Sequence, residues 1–177
     1  PKFGFFGFGS YSATPNTSFI SGKQTVAYAS LYLPGFFRHH SINIKSGLER
    51  QESNLEDLIF GTAVSFSRGY GYIKFDERMK FSVDYSFPLF YPDFNIGPFA
   101  YFKRIRAGLY YDHTILDAFE DQYSGVYRTA GLELMIEAYF LRLGEPIEFG
   151  ARISYLFDPL EGNDKIVPDF LVVGIPF

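Results

Sequence analysis

Few residues in this chain are of the right type and spacing for acid–base or nucleophilic chemistry. His113 follows Asp112, which is half of a catalytic dyad, but no convincing nucleophile accompanies the pair, and the chain has no cysteine. His39 and His40 stand beside Arg38 at a short turn and suit an interfacial or solvated pair better than a metal site. Glu133 and Glu137 lie four apart, about 13 Å along a strand, too far for a carboxylate dyad. Arg104, Arg106 and Arg152 can neutralise them. The "GFFGFGS" stretch lacks the strand-to-helix context of a phosphate loop. No active site, metal site or cofactor site is therefore expected. What stands out is "FSRGYGY", Phe66 to Tyr72, with a lone arginine between two small residues. A loop tip explains the glycines but leaves the arginine without a reason.

The elements that hold these residues are strands. From Arg78 to Leu89, Met79, Phe81, Val83, Tyr85, Phe87 and Leu89 fall on one face, and Lys80, Ser82, Asp84 and Ser86 on the other. The same alternation recurs over His40–Glu49, Phe99–Asp112, Val126–Phe140 and Ile147–Phe157. It returns in the final "DFLVVGIPF", where Leu171, Val173, Ile175 and Phe177 share a side. Two weaker strands, about Lys2–Tyr11 and Gln24–Leu33, bring the expectation to eight strands and no helix. The connections at roughly 12–23, 50–77, 113–123 and 158–166 are long or polar. Those at 34–38, 90–97 and 143–146 are short and rich in Pro or Gly. Long loops at one end and tight turns at the other are the pattern of an antiparallel up-and-down transmembrane β-barrel.

Composition narrows the alternatives. One domain, 1–177, accommodates the length. A net charge of −4 argues against a nucleic-acid partner. With 22 Phe, 14 Tyr and no Trp, aromatics dominate, yet no apolar run reaches the 18 residues of a membrane helix. Alternation alone also fits a soluble sandwich, apolar inside. Against that, the polar face mixes Gly, Ser, Asp, Glu, Arg and Tyr, as a crowded lumen would. The strands are longer than the five or six residues usual in soluble sheets. Tyr91, Tyr101, Tyr111 and Tyr155 sit where interfacial girdles would need them, and Lys103 and Arg142 are placed to snorkel outward to headgroups.

With the opening motif, these features resemble the Omp85 superfamily of outer-membrane barrels. "SRGYGY" is similar to its Arg-Gly-Tyr/Phe loop motif, "VDYSFPL" (Val83 to Leu89) to its "E-[YF]-x-[FI]-P" segment, and "GLYYDHT" (Gly108 to Thr114) to its "[FY]-x-D-x-G" segment. His113 and Thr114 depart from the last pattern. The terminal Leu171, Val173, Ile175 and Phe177 resemble the family's C-terminal assembly signal. The resemblance implies a sixteen-stranded barrel of which this chain supplies strands nine to sixteen, with the motif loop folded into the lumen. "LPGFFRHHSINIKSGLERQ" also resembles barrels that follow a TolB-like β-propeller. The chain opens at Pro1 and is read as a processed or truncated product.

An inward arginine needs a desolvated, bidentate partner. Strand parity puts Asp84 and Asp112 on the lumenal face of adjacent strands. Arg68, Gly69 and Tyr70 are therefore expected to form an inward latch, with Arg68 paired to one or both aspartates and Tyr70 packed on the wall. The expected function is a non-enzymatic module of the bacterial outer membrane. It would act in protein assembly or translocation, or anchor an N-terminal domain. Its expected partners are outer-membrane lipids, the missing half of the barrel or an upstream domain, and client proteins or assembly machinery. The alternatives are a complete eight-stranded barrel with a structural, adhesin-like or lipid-modifying role, and an outer-membrane enzyme.

Overall fold

The computed structural model describes residues 3–14, 21–53, 60–118, 123–141, 145–160, 162 and 164–174. The described elements are all β. In chain order they are β1 (Gly4–Ala13), β2 (Gly22–Pro34), β3 (Ser41–Ser53), β4 (Phe75–Phe90), β5 (Phe94–Ile96), β6 (Ala100–Ala118), β7 (Gly125–Phe140), β8 (Ile147–Leu156) and β9 (Ile166–Gly174). They form one nine-stranded sheet in the order β1-β2-β3-β4-β6-β7-β8-β9, with β5 attached to β6 off that path. Every pairing is antiparallel.

Apart from β5, each strand pairs with the next along the chain, as antiparallel strands joined in succession do. The expected eight strands are present, and β5 is an addition. It lies within the 90–97 segment, expected as a short connection. Asp93 and Gly97 adopt positive φ there and let the chain double back as a small hairpin. Strands also reach further than expected at the long-connection end: β3 runs to Ser53, and β6 is 19 residues long. The β4–β6 register shifts between Pro88 and Phe90. Proline has no N–H to give the ladder, so a bulge is the natural accommodation. Among the described residues the sheet is not closed, because β1 and β9 each have a single neighbour.

Burial runs opposite to that of a water-soluble sandwich. Met79, Phe81, Leu109, Ile115, Leu132, Leu134 and Ile153 are exposed. Glu49, Arg78, Lys80, Ser82, Asp112, Thr114, Thr129, Glu137 and Ser154 are buried. The alternation foreseen from sequence is present, with the polar face covered and the apolar face bare. The apolar core is correspondingly small. Phe75, Leu116, Ala118 and Tyr127 cluster at the long-connection end, and Phe66, Tyr70, Ile73 and Leu160 pack against them.

Candidate functional site

Much of the cover on the polar face comes from the segment between β3 and β4, whose described part is residues 60–74. Its first anchor is Glu49 on β3. The Glu49 carboxylate accepts the backbone N–H of Val64 at 2.9 Å and of Ala63 at 3.3 Å. It also accepts the side-chain amides of Gln24 at 2.7 Å and Gln51 at 3.0 Å. Arg78, opposite Glu49 in the β3–β4 register, donates Nη1 to the Val64 carbonyl at 2.8 Å. Lys80 donates to the Phe66 carbonyl at 2.9 Å and to Ser65 Oγ at 3.1 Å.

The second anchor is Arg68. Its Nε donates to Asp112 Oδ2 at 2.8 Å, and its Nη2 to Asp112 Oδ1 at 2.7 Å. The Arg68 backbone N–H adds a 3.0 Å bond to Asp112 Oδ2, and Nη2 also reaches Asp84 Oδ1 at 2.6 Å. The structure thus brings Arg68, Asp84 and Asp112 together in the bidentate form that a desolvated guanidinium requires. Asp112 is 0% exposed and is further held by Ser82 Oγ at 2.8 Å and Lys80 Nζ at 3.6 Å. Lys45 Nζ stands 2.9 Å from Asp84 Oδ2. Burial opposes the charge on Arg68, but the hydrogen bond and charge of Asp112, with Asp84, hold its guanidinium protonated beyond the usual arginine range.

Gly69 and Tyr70 carry the segment across to β7 and β8. Gly69 has φ +88°, and a Cβ there would sit 2.8 Å from Ser154 Cβ and 2.9 Å from Leu156 Cδ2. Both backbone conformation and space therefore call for glycine at this point. Gly71 meets nothing within 4 Å and carries no such demand. Ser67 Oγ donates to the Tyr127 carbonyl at 3.1 Å and lies 2.7 Å from Thr114 Oγ1. The rings of Phe66, Tyr70 and Tyr127 pack edge-on, with centroids 5.1 to 5.7 Å apart. The single Tyr70 hydroxyl proton is shared between the carbonyls of Arg128 at 3.1 Å and Asp158 at 3.0 Å. Burial raises the Tyr70 phenol above its ordinary pKa, so it remains a donor at neutral pH. Arg128 and Asp158 close this end as a bidentate pair, both bonds 2.9 Å.

Several members of the site went unforeseen. Tyr110 lies under Arg68, whose Cζ is 3.7 Å from the ring centroid, and its hydroxyl is 2.6 Å from Ser154 Oγ. Parity alone would have put Tyr110 on Asp112's face, and the sequence signal was the "YYD" triplet. Lys45, Glu49, Arg78 and Lys80 were on the polar face by the same rule, but nothing in their spacing named their partners. Glu133 meets Arg152 at 3.5 Å and Arg68 at 3.9 Å. Glu137 takes Arg104 at 2.6 Å, while Arg106 turns to Glu148 instead of the expected glutamates.

Lys103 departs from its expected position. It was expected to face outward, but its Nζ lies 2.7 Å from Glu137 Oε1 on the polar side. The β6–β7 register shifts between Phe102 and Arg104, and the extra residue of that bulge is Lys103. A bulge lets consecutive side chains share a face, so Lys103 and Arg104 converge on one carboxylate. Arg142, Ile175 and Phe177 lie outside the described residues. Leu171 and Val173 are exposed on β9, and the β8–β9 register shifts between Gly150 and Arg152. His40 stacks on Phe87 with centroids 5.4 Å apart, and its Nδ1 lies 2.5 Å from Tyr85 Oη.

Chemically, the arrangement binds one segment of the chain to the wall of another. The oxygens of Asp84 and Asp112 face cationic or hydroxyl partners, which leaves neither poised as a base. Among the described residues, no group of His, Cys, Asp and Glu is placed to hold a metal ion. No family model matches this chain, and neither a curated protein nor a solved structure is matched by it.

Proposed function

We propose that this chain is an outer-membrane β-barrel module of Omp85 type, and that it supplies part of a larger barrel. In that setting it works in the assembly or translocation of outer-membrane proteins, or anchors an attached N-terminal domain. The observation that carries the reading is the inverted burial. A sheet whose charged face is covered while Phe81, Leu109, Leu132 and Leu134 stand bare is suited to a lipid surround. Strand length supports it: β4 and β7 have 16 residues each, enough to cross the hydrocarbon layer when tilted. The single-neighbour edges of β1 and β9 fit a barrel completed by further strands. The Arg68 latch and its partners Asp84 and Asp112 give the resemblance a physical meaning as an inward-folded loop.

Gel mobility in detergent tests membrane residence. The folded chain should migrate differently unheated and boiled, and a protein that is monomeric and soluble without detergent would sink the proposal. Cysteine pairs scanned along β1 and β9 then separate the two barrel forms. Intramolecular disulfides between those edges would favour a complete eight-stranded barrel over a larger one.

A further inference from the structure

We propose that the cations of β6 at the short-connection end form a docking surface for an extended acidic peptide segment. Three of them stand close together, Lys103, Arg104 and Arg106. Lys103 Nζ lies 2.7 Å from Glu137 Oε1 and Arg104 Nη2 lies 2.6 Å from Glu137 Oε2, while Arg106 pairs with Glu148. In each pair the cation is the accessible member. The side chains of Lys103, Arg104 and Arg106 are 44%, 34% and 26% exposed, against 2% for Glu137 and 6% for Glu148. Lys45 over Asp84 repeats the arrangement on β3, at 38% against 13%.

Internal neutralisation accounts for part of this set. Glu137 and Glu148 are directly opposite each other in the β7–β8 register, and like charges so placed repel unless cations intervene. Two carboxylates call for two cations, so the third is surplus. Both acids lie beneath their partners, and the charge that reaches the open side is therefore positive. The 60–74 segment anchors nearer the other end, at Glu49, Asp112 and the Arg128 carbonyl, and leaves these cations accessible.

Spacing selects the kind of partner. The bulge ends at Arg104, and from there to Arg106 the β6–β7 ladder is regular. The two arginines are thus set about 6.6 Å apart along the strand. An extended peptide repeats its own same-side residues at that distance, so acidic side chains at alternate positions fall over successive arginines. A small anion has no such repeat and meets one cation at a time. The preference is local to this surface, because the chain as a whole carries a net charge of −4 and repels acidic partners at long range.

The test titrates the whole folded chain, in neutral detergent, into a labelled peptide of alternating glutamate and threonine, read by fluorescence anisotropy. The control peptide has glutamine in place of glutamate. The acidic peptide should bind about tenfold more tightly, and the difference should shrink as chloride is added. Lys103→Gln leaves Glu137 its Arg104 partner and should weaken binding about threefold. Arg106→Gln combined with Glu148→Gln removes a cation together with its buried acid, so no charge is stranded, and should weaken binding by a similar factor. Equal binding of the two peptides overturns the proposal, as does an undiminished preference in both variants. Nanodiscs of phosphatidylglycerol against phosphatidylcholine form a second arm. A response there with none to the acidic peptide would make these cations a headgroup contact and overturn the proposal as well. The surface does not depend on membrane residence: if the chain proves soluble, the same titration without detergent decides the question.

Discussion

Arg68 is the residue on which the polar face turns. Its guanidinium and backbone N–H together satisfy most of the acceptor capacity of a carboxylate that has no contact with water. Removing one partner of such a pair leaves the other charged and buried, which costs on the order of 3–5 kcal/mol. Arg68→Ala should therefore lower stability by about that amount and expose residues 60–74 to protease; an unchanged digestion pattern would contradict the latch. Arg68→Lys should recover only part of the loss, because an ammonium cannot span both Asp112 oxygens and reach Asp84. Gly69→Ala tests the same segment by backbone and space, and should cost more than about 1 kcal/mol, whereas Gly71→Ala should be close to neutral. The pair at the far end of the segment adds a pH dependence. The hydrogen bond from Arg128 holds the Asp158 carboxyl below its ordinary value, against a smaller opposing effect of burial. A depressed folded pKa means the contribution is present above about pH 4 and fades as pH falls through the folded value. Water screens this surface pair, so its contribution is small. Protease cleavage near Tyr70 should rise on acidification below about pH 4 in the parent, and Asp158→Asn should flatten that dependence.

At the scale of elements, each long strand has two faces under different rules. On the outward face, Leu132 and Leu134 of β7 are 57% and 46% exposed. Leu132→Arg discriminates the surroundings of that face. In lipid it should destabilise by about 2–4 kcal/mol, and in water it should change stability by no more than about 0.5 kcal/mol. Urea unfolding in vesicles and in buffer gives the comparison. Alternation was legible along most of these strands because period two is a local property of the backbone. It failed at Lys103 and at the 90–97 hairpin, where a bulge and positive-φ residues reset the count. A bulge is set by what the neighbouring strand offers, here Glu137, and leaves no local pattern of its own.

At the scale of the molecule, the open sheet predicts a gradient of protection. β4, β6 and β7 have neighbours on both sides, while β1 and β9 have one each. In the isolated chain, backbone amides of β1 and β9 should exchange fastest among the strands, measured by hydrogen-exchange mass spectrometry. Protection of both edges equal to that of β6 would mean that they are paired with each other or with a further strand.

The sequence by itself determined the eight long strands, the division of each into an apolar and a polar face, and the placing of Asp84 and Asp112 on the same side. Those properties follow from the two-residue period, which every strand carries in its own residues. It also marked Arg68 as needing a buried acid, since an isolated guanidinium among aromatics has no local partner. Only the tertiary structure decided which face is covered, because burial depends on what lies across the sheet rather than along the strand. It likewise decided that Tyr110 lies under Arg68, that the exposed Lys103 reaches Glu137, and that Glu49 holds the start of the same segment. Each of those contacts joins residues distant in the chain, and their geometry comes from the register between strands.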